Sequence, residues 1–147
     1  MDAVNELTLA LIRADSTAVT RGELDEAGYR AVAEELRRRF AVSRVAITLR
    51  ESYSASDNGW SALLLDDSGF YRSPRYRIHV VDRVGGGDAF AASLIFGIAE
   101  KWEPQRTIDF AVAASCLKHT LEGDFNLVTR SEVENLLAGD ASGRVQR

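Results

Sequence analysis

The chain has 147 residues, 46% apolar and 27% charged, with a formal net charge of −4 and a pI near 5.2. That length and balance suit one globular domain and argue against a basic nucleic-acid surface or a chain drawn to anionic membranes. A single cysteine, Cys116, and two widely separated histidines exclude an intrachain disulfide and a zinc cluster.

Residues 4–13 are an apolar-rich helix candidate, and residues 22–40 form an amphipathic helix with Val32, Leu36 and Phe40 at i, i+4 spacing. Arg37-Arg38-Arg39, opposite Glu34 and Glu35, reads as a solvated helix face. Residues 45–49 are an apolar run of strand length, of the kind buried on both faces of a parallel sheet. Residues 60–65 are a second strand, Asp66-Asp67-Ser68-Gly69 a turn, and residues 70–81 an extended stretch broken near Pro74. A helix is expected over residues 88–101, with Phe90, Leu94, Gly97 and Ile98 on one side. Pro104 opens the next, which runs through Phe110 to about residue 121. Ser131-x-x-Glu134 reads as a capping box, and residues 139–147 as a flexible tail after one folded unit over 1–138. Helices between strands imply a layered α/β sheet, whose ligands bind at the carboxyl ends of strands. No secretory signal and no run of ~20 apolar residues is visible, so a cytoplasmic chain without membrane or nucleic-acid partners is expected.

Residues 80–90 carry the chemistry. The apolar run Val80-Val81 leads into Gly85, Gly86 and Gly87, then Asp88, then a helical pattern. Glycines without Cβ let backbone amides approach a ligand, and amides at a helix start favour an anion. Asp is a good residue at a helix N-terminus, but a carboxylate beside bound phosphate repels it. That placement makes sense for a general base that takes a proton from an attacking hydroxyl. The run fits neither the dinucleotide fingerprint nor the Walker loop.

Lesser candidates read as structural. Cys116 is expected to be a buried small hydrophobe, His119 a partly exposed helix-end residue, and His79 part of a strand. Ser52, Ser54 and Ser56 read as a polar loop, and Trp60 and Trp102 as packing residues.

The run Asp82-Arg83-Val84-Gly85-Gly86-Gly87-Asp88-Ala89-Phe90 resembles the D-x-x-G-A-G-D-x-F signature of ribokinase-like (PfkB-type) carbohydrate kinases. Gly86 stands where that signature has Ala, and the Asp-Arg-Val opening is similar to the 2-keto-3-deoxygluconate kinase branch. Thr48-Leu49-Arg50-Glu51-Ser52 and Leu117-Lys118-His119-Thr120, followed by Gly123-Asp124-Phe125-Asn126, match in the same order. The resemblance covers roughly residues 40–138 and implies the C-terminal portion of a layered α/β/α ribokinase-like sheet.

The resemblance implies roles by position. Asp88 is the catalytic base, and the amides of Gly85, Gly86 and Gly87 form the anion hole. Thr48, Arg50, Val112 and Ser115 lie at the nucleotide, and Asp82 with the carbonyl of Val84 at a monovalent cation such as K⁺. ATP, Mg²⁺ and a sugar-acid substrate are the implied ligands. Relatives carry sugar-binding residues and a β lid before the region matched here, so an N-terminal half is expected to be missing. Asn5-Glu6 resembles the N-x-x-E element that organises Mg²⁺, but Thr8 stands in its last position. A non-catalytic nucleotide-binding module, or a fragment that pairs with a second copy or an N-terminal half through an open sheet edge, are the alternatives.

Overall fold

The computed structural model describes residues 26–139. The 4–13 helix, Asn5 and Thr8 lie outside them, as does nearly all of the 139–147 tail. Within them the chain runs α1 (Glu26–Phe40), β1 (Val45–Ser52), β2 (Asp57–Leu65), β3 (Phe70–Arg72), β4 (Tyr76–His79), α2 (Gly86–Ala99), α3 (Pro104–Lys118) and α4 (Arg130–Leu137).

The strands form one sheet, and every pairing in it is antiparallel. This corrects the parallel setting expected for residues 45–49. The reason is the link: β1 and β2 pair from Val45↔Leu65 to Ser52↔Asn58, across a turn too short for a crossover. Ser54 builds that turn, its hydroxyl accepting from the Asp57 amide at 2.9 Å and donating to the Asp57 carboxylate at 3.0 Å. β3 and β4 both lie along β2, interrupted near Pro74 as expected. Ser73 bridges the gap: its hydroxyl accepts from the Ala62 amide at 2.9 Å, and its own amide donates to the Ala62 carbonyl at 3.0 Å.

Period-two alternation gives each sheet face its own apolar set. Ala62, Leu64 and Ile78 pack with Ile108, Ala111, Val112 and Cys116 of α3 and Phe90 of α2. Burial pushes the Cys116 thiol far above its ordinary pKa, so it behaves as a small hydrophobe. The alternate positions Leu49 and Leu63 are buried too, and α1 packs against β1 and β2. Arg37 is not part of a purely solvated face. It donates to the Asp66 carbonyl at 3.0 Å and pairs with Asp67, tying α1 to the β2–β3 turn, while Arg38 pairs with Glu35.

α2 begins two residues earlier than expected, at Gly86, and α3 ends at Lys118. The two helices approach closely at Gly97, where a Cβ would lie 2.8 Å from Thr107 Cγ2. A second cluster, Phe110, Ala113, Ala114 and Val133, joins α3 to α4. The capping box of α4 is Thr129 with Glu132, not Ser131 with Glu134: the Glu132 amide donates to Thr129 Oγ1 at 3.3 Å, and Glu132 Oε2 accepts from the Thr129 amide at 2.8 Å. Glu134 instead accepts from Arg130 at 2.8 Å, one helical turn back.

The shifted cap is checkable. Thr129→Ala should lower unfolding free energy by about 1 kcal/mol in urea titrations, whereas Ser131→Ala should leave the midpoint nearly unchanged.

Candidate active site

After β4 the chain is pinned to the far end of α3. The amides of Val81 and Asp82 both donate to the carbonyl of His119, at 2.9 and 3.3 Å. Asp82 then bends the next step: Oδ1 accepts from the Val84 amide at 3.0 Å and Oδ2 from the Gly123 amide at 2.9 Å. Those two amides hold its carboxyl below the usual carboxylate range. Asp82 thereby joins the glycine turn to the loop that follows α3.

Gly85 is the N-cap of α2 at φ 78°, ψ −6°. A Cβ there would stand 2.7 Å from the Asp124 carbonyl oxygen and 3.1 Å from Lys118 Cε, so both conformation and space require glycine. The Gly86 carbonyl accepts from Ser115 Oγ at 2.8 Å. A Cβ on Gly86 would fall 2.3 Å from His119 Cε1 and 2.5 Å from Nε2. The departure of Gly86 from the signature thus has a physical cause: an imidazole fills the space an alanine methyl would need. Gly87 has no atom within 4 Å of its Cβ position and faces open space.

The first helical amides, those of Gly86, Gly87 and Asp88, have no side-chain cap. They lie at the positive end of α2, with Asp88 exposed in the same turn. Uncapped amides beside an open carboxylate can hold an anion and move a proton next to it.

His119 is buried, at 5% exposure, rather than at a half-open helix end. Its Nδ1 lies 2.7 Å from the Ser115 carbonyl, and since a carbonyl only accepts, Nδ1 carries the proton. The Trp60 ring lies 4.6 Å away, centroid to centroid. Burial lowers the His119 pKa, and the nearby charges of Lys118, Arg83 and Arg50 push the same way.

Thr48 and Arg50 share a sheet face with their partners Ala62 and Trp60. Arg50 Nε donates to Asn58 Oδ1 at 2.8 Å, and Arg83 to the Ala55 carbonyl. Two buried donors nearby, Trp60 Nε1 and Asn58 Nδ2, have no partner among the described residues. The hairpin serines hold their own turn, and exposed His79 pairs with Asp57 at 3.2 Å.

Val112 and Ser115 do not line an open cleft. Val112 packs under the sheet, and Ser115 is fully buried with its hydroxyl committed to Gly86. Phe110 and Ala114 of α3, four residues apart and themselves buried, form the floor of a groove of about 290 Å³ walled by Phe96, Asn126, Val128 and Arg130. A larger cleft of about 520 Å³ at the end of α1 is lined by Arg37, Arg38 and Asp67, whose charges are already paired. Among the described residues no group of three or more His, Cys, Asp or Glu is placed to hold a metal ion, and no helix is long and apolar enough to cross a membrane.

Lys118, Gly123 and Asp124 lie in the matched stretches, but nothing in their local sequence marks them as part of the turn's support. Lys118 is fully buried, yet it follows an apolar run in which a charged residue looks like a helix end. Gly86, a glycine where the signature has alanine, signals only the His119 ring that occupies that volume; Lys118 and Asp124 stand against Gly85.

Two outcomes test this packing. Gly86→Ala should cost about 1–3 kcal/mol in denaturant titrations, and combining it with His119→Ala should recover about 0.5–3 kcal/mol relative to additivity. With its folded pKa depressed, His119 binds its proton more readily in the unfolded chain. Stability should therefore fall as pH drops through about 6.5 towards the lower folded value, and melting curves of His119→Gln should lose that slope.

A family profile described as pfkB family carbohydrate kinase matches residues 15–129. The chain is 28% identical over 112 residues to a 2-dehydro-3-deoxygalactonokinase of Haloferax volcanii, spanning 76% of this chain and 33% of that protein. Its fold superposes on the crystal structure of 2-dehydro-3-deoxygluconokinase from Thermotoga maritima with a TM-score of 0.75 and 46% identity, over 79% of this chain and 35% of that one. Phosphofructokinase-2 of Escherichia coli, crystallised in complex with potassium, shares the fold at a TM-score of 0.54 and 19% identity, over 84% and 37% of the two chains. The chain thus spans about a third of the length of these relatives. The glycine turn, the exposed aspartate and the matched residues together make it a member of the pfkB family of carbohydrate kinases.

Proposed function

We propose that this chain supplies the anion hole, general base and nucleotide groove of an ATP-dependent kinase acting on a hydroxyl of a 2-keto-3-deoxy sugar acid. The observation that carries this reading is the uncapped first turn of α2 with Asp88 exposed in it. Relatives named as 2-dehydro-3-deoxygluconokinase and 2-dehydro-3-deoxygalactonokinase support the substrate class.

Phosphoryl transfer asks for position and charge stabilisation more than for covalent chemistry. Asp88 accepts the proton of the sugar hydroxyl as its oxygen attacks the terminal phosphorus and the bond to the ADP oxygen breaks. The amides of Gly85, Gly86 and Gly87 donate to the oxygens of the phosphoryl group in flight, a contribution on the order of 10²-fold per donor by analogy with other oxyanion holes. Ser115 and His119 act from beneath, fixing where the Gly86 peptide points. The groove at Phe110 and Ala114 offers apolar walls to a purine. Arg50 and Thr48 stand on the sheet face beside His119, where a cation suits nucleotide phosphate. Mg²⁺ would arrive with the nucleotide.

A second reading is a nucleotide-binding module that transfers nothing alone, or that pairs through β1 with another copy or an N-terminal half. It is favoured by β1, which pairs only with β2 among the described residues and leaves one backbone edge open.

Asp88→Asn should lower ADP release with 2-keto-3-deoxygluconate by about 10²–10⁴-fold and leave ADP affinity in calorimetry unchanged. Unaltered turnover in the variant removes the base from Asp88. ADP binding without any phosphorylated sugar acid from the wild-type chain selects the second reading.

A further inference from the structure

The site expected for a monovalent cation does not fit one. Beneath the glycine turn, the Asp82 carboxylate meets the loop carrying the carbonyls of Leu121, Gly123 and Asp124. Oxygen-lined places of this kind suit a hard cation. Both Asp82 oxygens, however, already accept backbone amides, from Val84 and Gly123. A positive charge is present as well. Lys118 is 0% exposed, and its Nζ donates to the Gly123 carbonyl at 2.6 Å and reaches the Leu121 carbonyl at 3.4 Å. Its stem runs directly under Gly85, with Cε 3.1 Å from the Cβ position there.

We propose that the ammonium of Lys118 is a tethered cation standing where a free monovalent ion would serve, so that the glycine turn of this chain is held without K⁺. The chemistry is equivalent: a single positive charge satisfied by carbonyl oxygens near a carboxylate, linking the 82–85 turn to the 121–124 loop. A buried ammonium persists only with such partners, and a second cation placed beside it would be repelled. The tether also removes the concentration dependence a free ion imposes. Gly85, squeezed between the lysine stem and the Asp124 carbonyl, transmits the position of that charge to the amides that follow it. The effect on the phosphate site rests on the function proposed above; the structural role of the lysine does not.

The test compares melting temperature and ADP affinity of the full chain in KCl, NaCl and choline chloride at equal ionic strength. The wild type should give the same values in all three salts. Lys118→Met, which keeps the stem and removes the charge, should melt several degrees lower in choline chloride and bind ADP about tenfold more weakly, and KCl should restore part of both. A wild-type chain that gains melting temperature or affinity from K⁺ overturns the proposal. So does a Lys118→Met chain that behaves as wild type in choline, or whose loss K⁺ does not repair. If Lys118→Met fails to fold, the wild-type comparison still decides: a flat response supports the tethered cation and a K⁺ response refutes it. If ADP binds in no salt, the kinase reading fails while the melting data still judge the lysine.

Discussion

The structure depends on the docking of the C-terminal end of α3 beneath the glycine turn. Three residues of one helical turn make it. Ser115 gives its hydroxyl to the Gly86 carbonyl, Lys118 runs under Gly85, and His119 lies against Gly86 while its carbonyl takes the amides of Val81 and Asp82. Every one of these contacts is buried or partly buried, where a hydrogen bond is costly to lose and a displaced side chain has nowhere to go. The turn is thereby fixed from below, while the amides of Gly87 and Asp88 above it remain open.

On the function proposed above, that asymmetry is what a phosphate site needs. Amides that must not reorganise during transfer have to be held by something other than the ligand. Here the holding is done by α3, and α3 is held in turn by Ile108, Ala111, Val112 and Cys116 packing against Ala62, Leu64 and Ile78 of the sheet. The sheet sets the height of α3, and α3 supports the turn. Val112, buried in that packing, belongs to this chain of supports.

The buried polar groups follow the same logic. Burial lowers the His119 pKa, and its Nδ1–H donates to the Ser115 carbonyl. Lys118 places its Nζ among carbonyls close to Asp82. One fills volume and one supplies a donor, and these two successive residues meet two successive glycines, Lys118 at Gly85 and His119 at Gly86. Glycine at both 85 and 86 is the counterpart of those two side chains.

Local chemistry was legible in the sequence wherever it depends on neighbouring residues. The strand, the glycine run and Asp88 at a helix start could be read directly, as could the break at Pro74 and the proline opening α3, because glycine, proline and period-two patterns act over a few bonds. The four-residue link that forces β1 and β2 antiparallel was also there, but an apolar run of strand length cannot by itself declare its partner's direction. The cap of α4 moved by two residues because Thr129 and Ser131 are both competent caps, and the packing of Val133 and the Arg130–Glu134 pair decide between them. Burial of Lys118 and His119, the closed environment of Val112 and Ser115, and the groove at Phe110 and Ala114 belong to the tertiary structure alone. A side chain's solvent exposure depends on what residues far away in the chain place over it, and here that cover is Trp60 and the turn at residues 82–87, brought over α3 only when the sheet closes.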